Sequence, residues 1–283
     1  MTHVAGIDVG STYTKTIVLA GDGRVAGQSL MRSGFRLAQA ARASFDLALD
    51  EAGLRETDIG YIISTGYGRF QVPFRNLQVT DLTAAARGAQ HLFPQTRTVL
   101  DIGGQTMKAT RLDERGHVKS FRLNDKCAAG TGAFLEKTAR YLNYTTEEIG
   151  PLAILAREPV PISGVCAVFA ESEVINHLSL GASPADIMQG AIISLGHRSV
   201  QLLKRVQMEP EFTLAGGILR FESMVNLLRH ELGVATNIPP PETVQHLCAL
   251  GAAVLARRRL QEVRKADRRA EDPEGLTPRS LHM

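Results

Sequence analysis

Two glycine turns in this sequence, "DVGST" and "DIGGQT", each follow an apolar run and open on an aspartate. The first holds Asp8, Gly10, Ser11 and Thr12, with Lys15 just beyond it, and the second holds Asp101, Gly103, Gly104 and Thr106. Small residues leave backbone N–H groups and hydroxyls open to a ligand, so such a turn can wrap phosphate oxygens. The leading aspartate could hold Mg2+ through waters, and a lysine could reach a phosphate as a point charge. One such turn is more often an ordinary hairpin. Two, one in each half of the chain, could face each other across a cleft and grip one triphosphate from both sides. A third stretch, "LAGGIL", ends a strand in Gly216-Gly217 and suits close backbone approach to a nucleoside. No G-x-x-x-x-G-K-[ST] occurs, which excludes a P-loop protein.

The second candidate chemistry is sulfur. Cys127 stands before "AAGTGAFLE" and Cys166 before "AVFAESEVI", each just ahead of a predicted helix. Unsatisfied N–H groups at a helix start lower a thiolate pKa and stabilise an anionic group. A separation of roughly forty residues is too long for a CxxC zinc site. Two readings stand: small buried residues at helix starts, or thiolate ligands. A [4Fe–4S] cluster takes four thiolates, so two per chain would need two chains. Cys248, in "VQHLCALGAAVLA", lies on an apolar helix and reads as packing.

The elements that must position these residues follow from periodicity. The opening reads as strand, tight turn, strand, a Gly-Asp-Gly hairpin and a third strand, then a helix from Leu37 to Ala52 and a strand "YIIST". A helix fits "DLTAAARGAQHLF", after which "TVLDIGGQTMKATRLDERGHVKSFRL" repeats the opening pattern. Helical spacing dominates beyond it, over 131–142, 170–180, 184–206, 221–233 and 243–260, with a short strand at 212–217. The expected domains are 1–97 with 238–260, then 98–237, with 261–283 a flexible charged tail.

Composition narrows the class. The chain has 283 residues, 44% of them hydrophobic, enough for a sizeable core. Three cysteines argue against a secreted disulfide framework, and no long apolar run or signal-like start is present, so a soluble cytoplasmic protein without membrane contact is expected. From Arg257 onward eight Lys/Arg stand against five Asp/Glu, an excess equal to the whole formal charge of +3. The body is therefore neutral and gives no support for a nucleic-acid surface.

The order DxGST, DIGGQ, AGG resembles the actin, hexokinase and Hsp70 ATPase superfamily. Within it, "GIDVGSTYTK", "STGYGR", "LDIGGQTMK", "NDKCAAGTGAFLE", "GVCAVFAESEVI" and "LAGGI" are similar to the activator ATPases of 2-hydroxyacyl-CoA dehydratases and the ATPase subunits of ATP-dependent benzoyl-CoA reductase. The resemblance implies an α/β protein with two ribonuclease H-like, actin/hexokinase-type ATPase subdomains around a nucleotide cleft. It implies ATP or ADP with Mg2+, Asp8 and Asp101 organising the metal, and Gln105 orienting the attacking water. Gly130, Thr131 and Gly132 would link Cys127 to the cleft, with the helix that follows as a rigid coupler. Cys127 and Cys166 would be ligands of one [4Fe–4S] cluster shared with a second ATPase subunit, itself or a homologue. A ferredoxin-type donor and acyl-CoA-binding reductase or dehydratase subunits would be the partners.

Dehydratase activators usually read GGQDxK, whereas this chain has Thr106-Met107, which puts a metal or water-positioning role there in doubt. That departure and the tail lean towards an ATPase subunit of benzoyl-CoA reductase, with a homodimeric dehydratase activator as the alternative. A cluster-free kinase of the same superfamily, or an actin-like interaction module, would leave the cysteines buried and inert.

Overall fold

The computed structural model describes residues 2–124, 131–163 and 167–271. Its first half runs β1 (His3–Val9), β2 (Tyr13–Leu19), β3 (Val25–Arg32), α1 (Leu37–Ala52), β4 (Ile59–Thr65), β5 (Leu77–Gln78) and α2 (Asp81–Leu92). The second half runs β6 (Thr98–Ile102), β7 (Met107–Leu112), β8 (Val118–Asn124), α3 (Gly132–Tyr141), α4 (Ile149–Ile154), α5 (Ala167–Ser179), α6 (Pro184–Arg205), β9 (Phe212–Ala215), α7 (Glu222–Leu232), β10 (Thr236–Asn237) and α8 (Leu247–Glu271).

The weak sequence repeat is a repeat of topology. One sheet has the order β3-β2-β1-β4-β5, the other β10-β9-β6-β7-β8. In each, an antiparallel three-strand meander continues into parallel strands, with β1 beside β4 and β6 beside β9. Asp8 lies opposite Lys15 in the first sheet, and Asp101 lies opposite Lys108 in the second. The two sheets therefore carry the same acid–base pair at the same place in the ladder.

Both sheets are covered on both faces, which is why β1 reads as a nearly continuous apolar run. Phe45 and Ala48 of α1 pack on Ile7 and Val18, while Ala249, Ala252 and Ala253 of α8 pack on Val4, Ile17 and Ile63. A Cβ on Gly6 would lie 2.1 Å from the Ala249 carbonyl, so the helix crosses the strand where there is no side chain. In the second sheet Leu100, Ile102 and Met107 join the large cluster under α3, α4, α6 and α7. Its other face receives α2, whose Ala84 and Ala89 also meet Leu247 and Cys248 of α8. The α2–α8 pair thus lies between the two sheets.

Two helices differ from the periodicity. Residues 149–154, "IGPLAI", form a helix although they contain Pro151, because a proline in the first turn loses no intrahelical hydrogen bond. The last helix begins at Leu247 after turns over 241–246, and it continues to Glu271 where a frayed end was expected from 261. Arg258 and Arg259 both pair with Glu262 at helical spacing, and the segment is rich in Arg, Ala, Gln, Glu and Lys. These residues sustain a solvated helix without an apolar stripe. Among the described residues no helix is long and apolar enough to cross a membrane.

Candidate nucleotide site

A cleft of about 700 Å³ opens between the two sheets, with the α2–α8 pair as its floor. Asp8, Gly10, Ser11, Thr12 and Lys15 line one side, and Asp101, Gly103, Gly104, Gln105 and Thr106 line the other. Gly132, Gly216 and Gly217 complete the expected set in the cleft. Thr131 is buried at the start of α3. Gly130, Cys127 and Cys166 lie outside the described residues.

The two turns touch. A Cβ on Gly104 would sit 2.5 Å from the Thr12 hydroxyl oxygen, which is buried and has no hydrogen-bond partner among the described residues. Buried hydroxyls are normally satisfied, so this one marks a place for an acceptor from a ligand. At Gly216, φ is +101°, and a Cβ would lie 2.2 Å from the Ile102 carbonyl. Only glycine carries the chain past β6 there. Helices α2, α3 and α8 all open on the cleft, through Asp81, Gly132 and Leu247. Their N-terminal partial charges favour an anion between the turns.

The charges form two matched pairs. Lys15 Nζ lies 3.0 Å from Asp8 Oδ2. Lys108 Nζ lies 2.6 Å from Asp81 Oδ2 and 4.0 Å from Asp101 Oδ2. Burial pushes both lysines towards the neutral form, but the facing carboxylates outweigh it and hold both above the ordinary lysine pKa. Burial pushes the Asp101 carboxyl up, with Lys108 and then Lys15 opposing it. Cys248 packs as expected and also lines the cleft, its Sγ 3.8 Å from Asp101 Oδ2. Burial, then the Asp101 and Asp8 charges, keep its thiol protonated. Among the described residues no group of three or more His, Cys, Asp or Glu could by itself hold a metal ion. Mg2+ suits such a site, because it binds through one or two carboxylates, waters and substrate phosphates.

Asp81 was missing from the residues expected on sequence grounds, and Lys108, retained from the GGQDxK pattern, had been given no role. The Asp8–Lys15 separation recurs in Asp101–Lys108, a repeat that could have shown the lysine. Asp81 has no such signal, since its role comes from where α2 starts.

The motif "STGYGR" supports the first aspartate. Gly66 has φ +86°, and a Cβ there would fall 2.4 Å from Asp8 Oδ1 and 2.6 Å from the Val9 carbonyl. Gly66→Ala is expected to cost roughly 1–3 kcal/mol from the positive φ and to displace Asp8, lowering ATP hydrolysis as well as Tm. A variant that matches the wild type in both calorimetry and kcat would sink this assignment.

On the other side, the phosphate turn is fastened to α3. Gly132 N–H donates to the Gly103 carbonyl at 3.0 Å and Ala133 N–H to Gly104 at 2.7 Å, in place of a side-chain cap. Lys137 of α3 then pairs with Glu171 of α5 at 2.5 Å. Phe134, Leu135, Ala139, Ala170 and Val174 share one apolar cluster. Helix α5 begins directly after Cys166.

Two sheets of one topology, joined through a cleft with a phosphate-type turn on each side, define the two-subdomain fold of actin/hexokinase-type ATPases. A glucokinase from Streptomyces griseus, at 15% identity and a TM-score of 0.56, shares that fold. Residues 5–256 match the BadF/BadG/BcrA/BcrD ATPase family, and the chain belongs to it. It is 39% identical to the activator of lactoyl-CoA dehydratase of Anaerotignum propionicum over 90% of this chain and 97% of that protein. It is 37% identical to one of the subunits of benzoyl-CoA reductase of Thauera aromatica over 82% of this chain and 84% of that protein. The activator of the 2-hydroxyisocaproyl-CoA dehydratase from Clostridium difficile, solved with bound ADPNP, superposes with a TM-score of 0.88 at 33% identity, covering 94% of this chain and 98% of that one.

Proposed function

We propose that this protein hydrolyses MgATP in the cleft and uses the accompanying closure to deliver single low-potential electrons to an acyl-CoA-processing partner in the cytoplasm. The observation that carries the reading is the continuous connection from the second phosphate turn through α3 to α5, the helix that follows Cys166. Phosphate entering between the turns would draw Lys15 and Lys108 from their carboxylates. Asp8 and Asp101 would then hold Mg2+ through waters. Gln105, exposed at the tip of its turn, would orient the water that attacks the γ-phosphorus as the bond to ADP breaks. Closure would move residues 98–237 against residues 1–97 with 238–260.

Cys127 and Cys166, with their counterparts in a second ATPase subunit, would supply the four thiolates of one [4Fe–4S] cluster. Bound there, such a cluster supplies one-electron transfer. The remaining cysteine, Cys248, is buried in the cleft floor and would take no part in it. A ferredoxin-type donor would supply the electron.

For the partner, the extent of the match to dehydratase activators favours a homodimeric activator of a 2-hydroxyacyl-CoA dehydratase. Thr106 and Met107 favour a second reading, an ATPase subunit of ATP-dependent benzoyl-CoA reductase. ATP consumed at every partner turnover would mark the reductase, and ATP consumed once for many turnovers the activator. The reading as a whole is tested by iron and acid-labile sulfide per chain after anaerobic purification, beside ATP hydrolysis. About two iron atoms per chain are expected from a four-iron cluster shared by two chains. An iron-free protein that still hydrolyses ATP would move the assignment to a cluster-free kinase.

A further inference from the structure

The first sheet carries an exposed surface at the rim of the cleft that neither the phosphate chemistry nor the core accounts for. Two segments build it, residues 33–36 after β3 and residues 66–71 after β4. The Gly68 N–H donates to the Val9 carbonyl at 2.8 Å, and the Ser33 hydroxyl donates to the Gly10 carbonyl at 2.6 Å. Both segments therefore rest on consecutive residues of the first phosphate turn. A Cβ on Gly68 would also fall 3.0 Å from Leu37 at the start of α1, so the two lie side by side.

Their outward side chains are aromatic and cationic. Phe35 is 88% exposed, Tyr67 75% and Phe70 57%. Single exposed apolar residues are ordinary, but three large rings on adjoining segments form a patch without a cover. Guanidiniums lie among the rings. Arg36 is 5.3 Å from the Phe35 centroid, Arg69 is 4.5 Å from that of Phe70, and Arg32 is 5.5 Å from that of Tyr13, its ladder partner. Residues 30–37 and 66–76 contain no Asp, Glu or Lys. Among the described residues, Arg32, Arg36 and Arg69 form no ion pair. Aromatic residues and arginine without lysine are the composition of a protein–protein contact. What such arginines lack is an acceptor, and a carboxylate offers two oxygens to a guanidinium fork. A nucleic acid would need a basic track leading away from the rings, and the body of the chain is neutral.

We propose that this rim docks an acidic segment of a partner protein, its carboxylates meeting Arg32, Arg36 and Arg69 and its apolar side chains covering Phe35, Tyr67 and Phe70. Docking reaches the phosphate turn through Ser33, whose N–H donates to the Thr12 carbonyl at 3.0 Å. The inference goes beyond the ATPase reading, and its test needs neither nucleotide nor iron. The test is fluorescence anisotropy of a labelled peptide of alternating glutamate and leucine, titrated with the full chain. The same peptide with lysine for glutamate and a single-stranded oligonucleotide of matching charge are run beside it. The wild type is expected to bind the glutamate peptide alone, and more weakly as salt rises. Arg36→Glu and Phe35→Ser should each weaken binding at least about tenfold. Both should leave ATP hydrolysis and Tm unchanged, because the two side chains are exposed and do not line the cleft. Absence of glutamate-peptide binding, or binding by both variants equal to that of the wild type, overturns the proposal. Preference for the oligonucleotide overturns it in favour of a nucleic-acid surface.

Discussion

Asp101→Asn is expected to lower ATP hydrolysis by roughly 10²- to 10³-fold, the scale of removing one preorganised electrostatic contact, while the nucleotide-free protein keeps or raises its Tm at pH 7. The two halves of that result have one cause. Burial holds the Asp101 carboxyl above the ordinary carboxylate pKa, with Lys108 the leading counterweight. A carboxyl that keeps its proton more tightly in the folded chain than in the unfolded one opposes folding once it ionises. Its cost begins as pH rises above the ordinary value of 3.8 and is complete above the raised folded value. Asparagine removes that cost and does not strand Lys108, which retains Asp81 at 2.6 Å. The variant should also lose the Mg2+ dependence of whatever hydrolysis remains. Steady-state kinetics at varied Mg2+, beside melting curves from pH 4 to pH 8, checks both halves. Hydrolysis within tenfold of wild type would remove Asp101 from the catalytic machinery. A clear fall in Tm at pH 7 would make the carboxylate structural.

The pairing that drives this expectation explains how far the site could be read from the chain. Asp8, Gly10, Asp101 and Gly103 were legible because a glycine turn after an apolar strand has few uses, and its repetition reduced them further. The sheet ladder then places Lys15 and Lys108 opposite the two aspartates, so the role of the second lysine was implied by the duplication itself. Asp81 was not legible. It opens a helix whose own pattern gives only a solvated position, and only packing against the second sheet brings it to the cleft. Cys248 shows the same limit in reverse. Its apolar spacing correctly indicates burial, yet the surface it is buried against contains Asp101. Periodicity distinguishes inside from outside and does not distinguish a core from the floor of a cleft. The extension of α8 to Glu271 was hidden for a related reason, since the charged pairs that sustain a solvated helix also occur in disordered tails.

Serine at either Cys127 or Cys166 is expected to remove the whole iron content, not half of it. In a site completed by two identical chains, one substitution in the sequence deletes two of the four thiolates at once, and a [4Fe–4S] core does not persist on the remaining two. In a heteromeric pair of ATPase subunits the same substitution deletes one thiolate, and a damaged but iron-containing site becomes possible. The variant therefore reports on the partner across the site as well as on the ligands. ATP binding should survive, because Asp8, Asp101 and the turns around them are anchored by the two sheets and by α3, whose N–H groups are already bonded to Gly103 and Gly104. What should change is the linkage between the two sites. Each tenfold preference of a nucleotide state for one oxidation state shifts a one-electron potential by about 59 mV, so a shift of hundreds of millivolts needs several decades of differential binding. Differences of that size arise from domain closure and not from a local charge. The route available to closure is the Lys137–Glu171 tie and the apolar contact of α3 with α5. Iron analysis, nucleotide titration and the potential in ADP and ATP-analogue states are the measurements. Full iron retention in both serine variants would return the cysteines to packing and place the iron on other ligands.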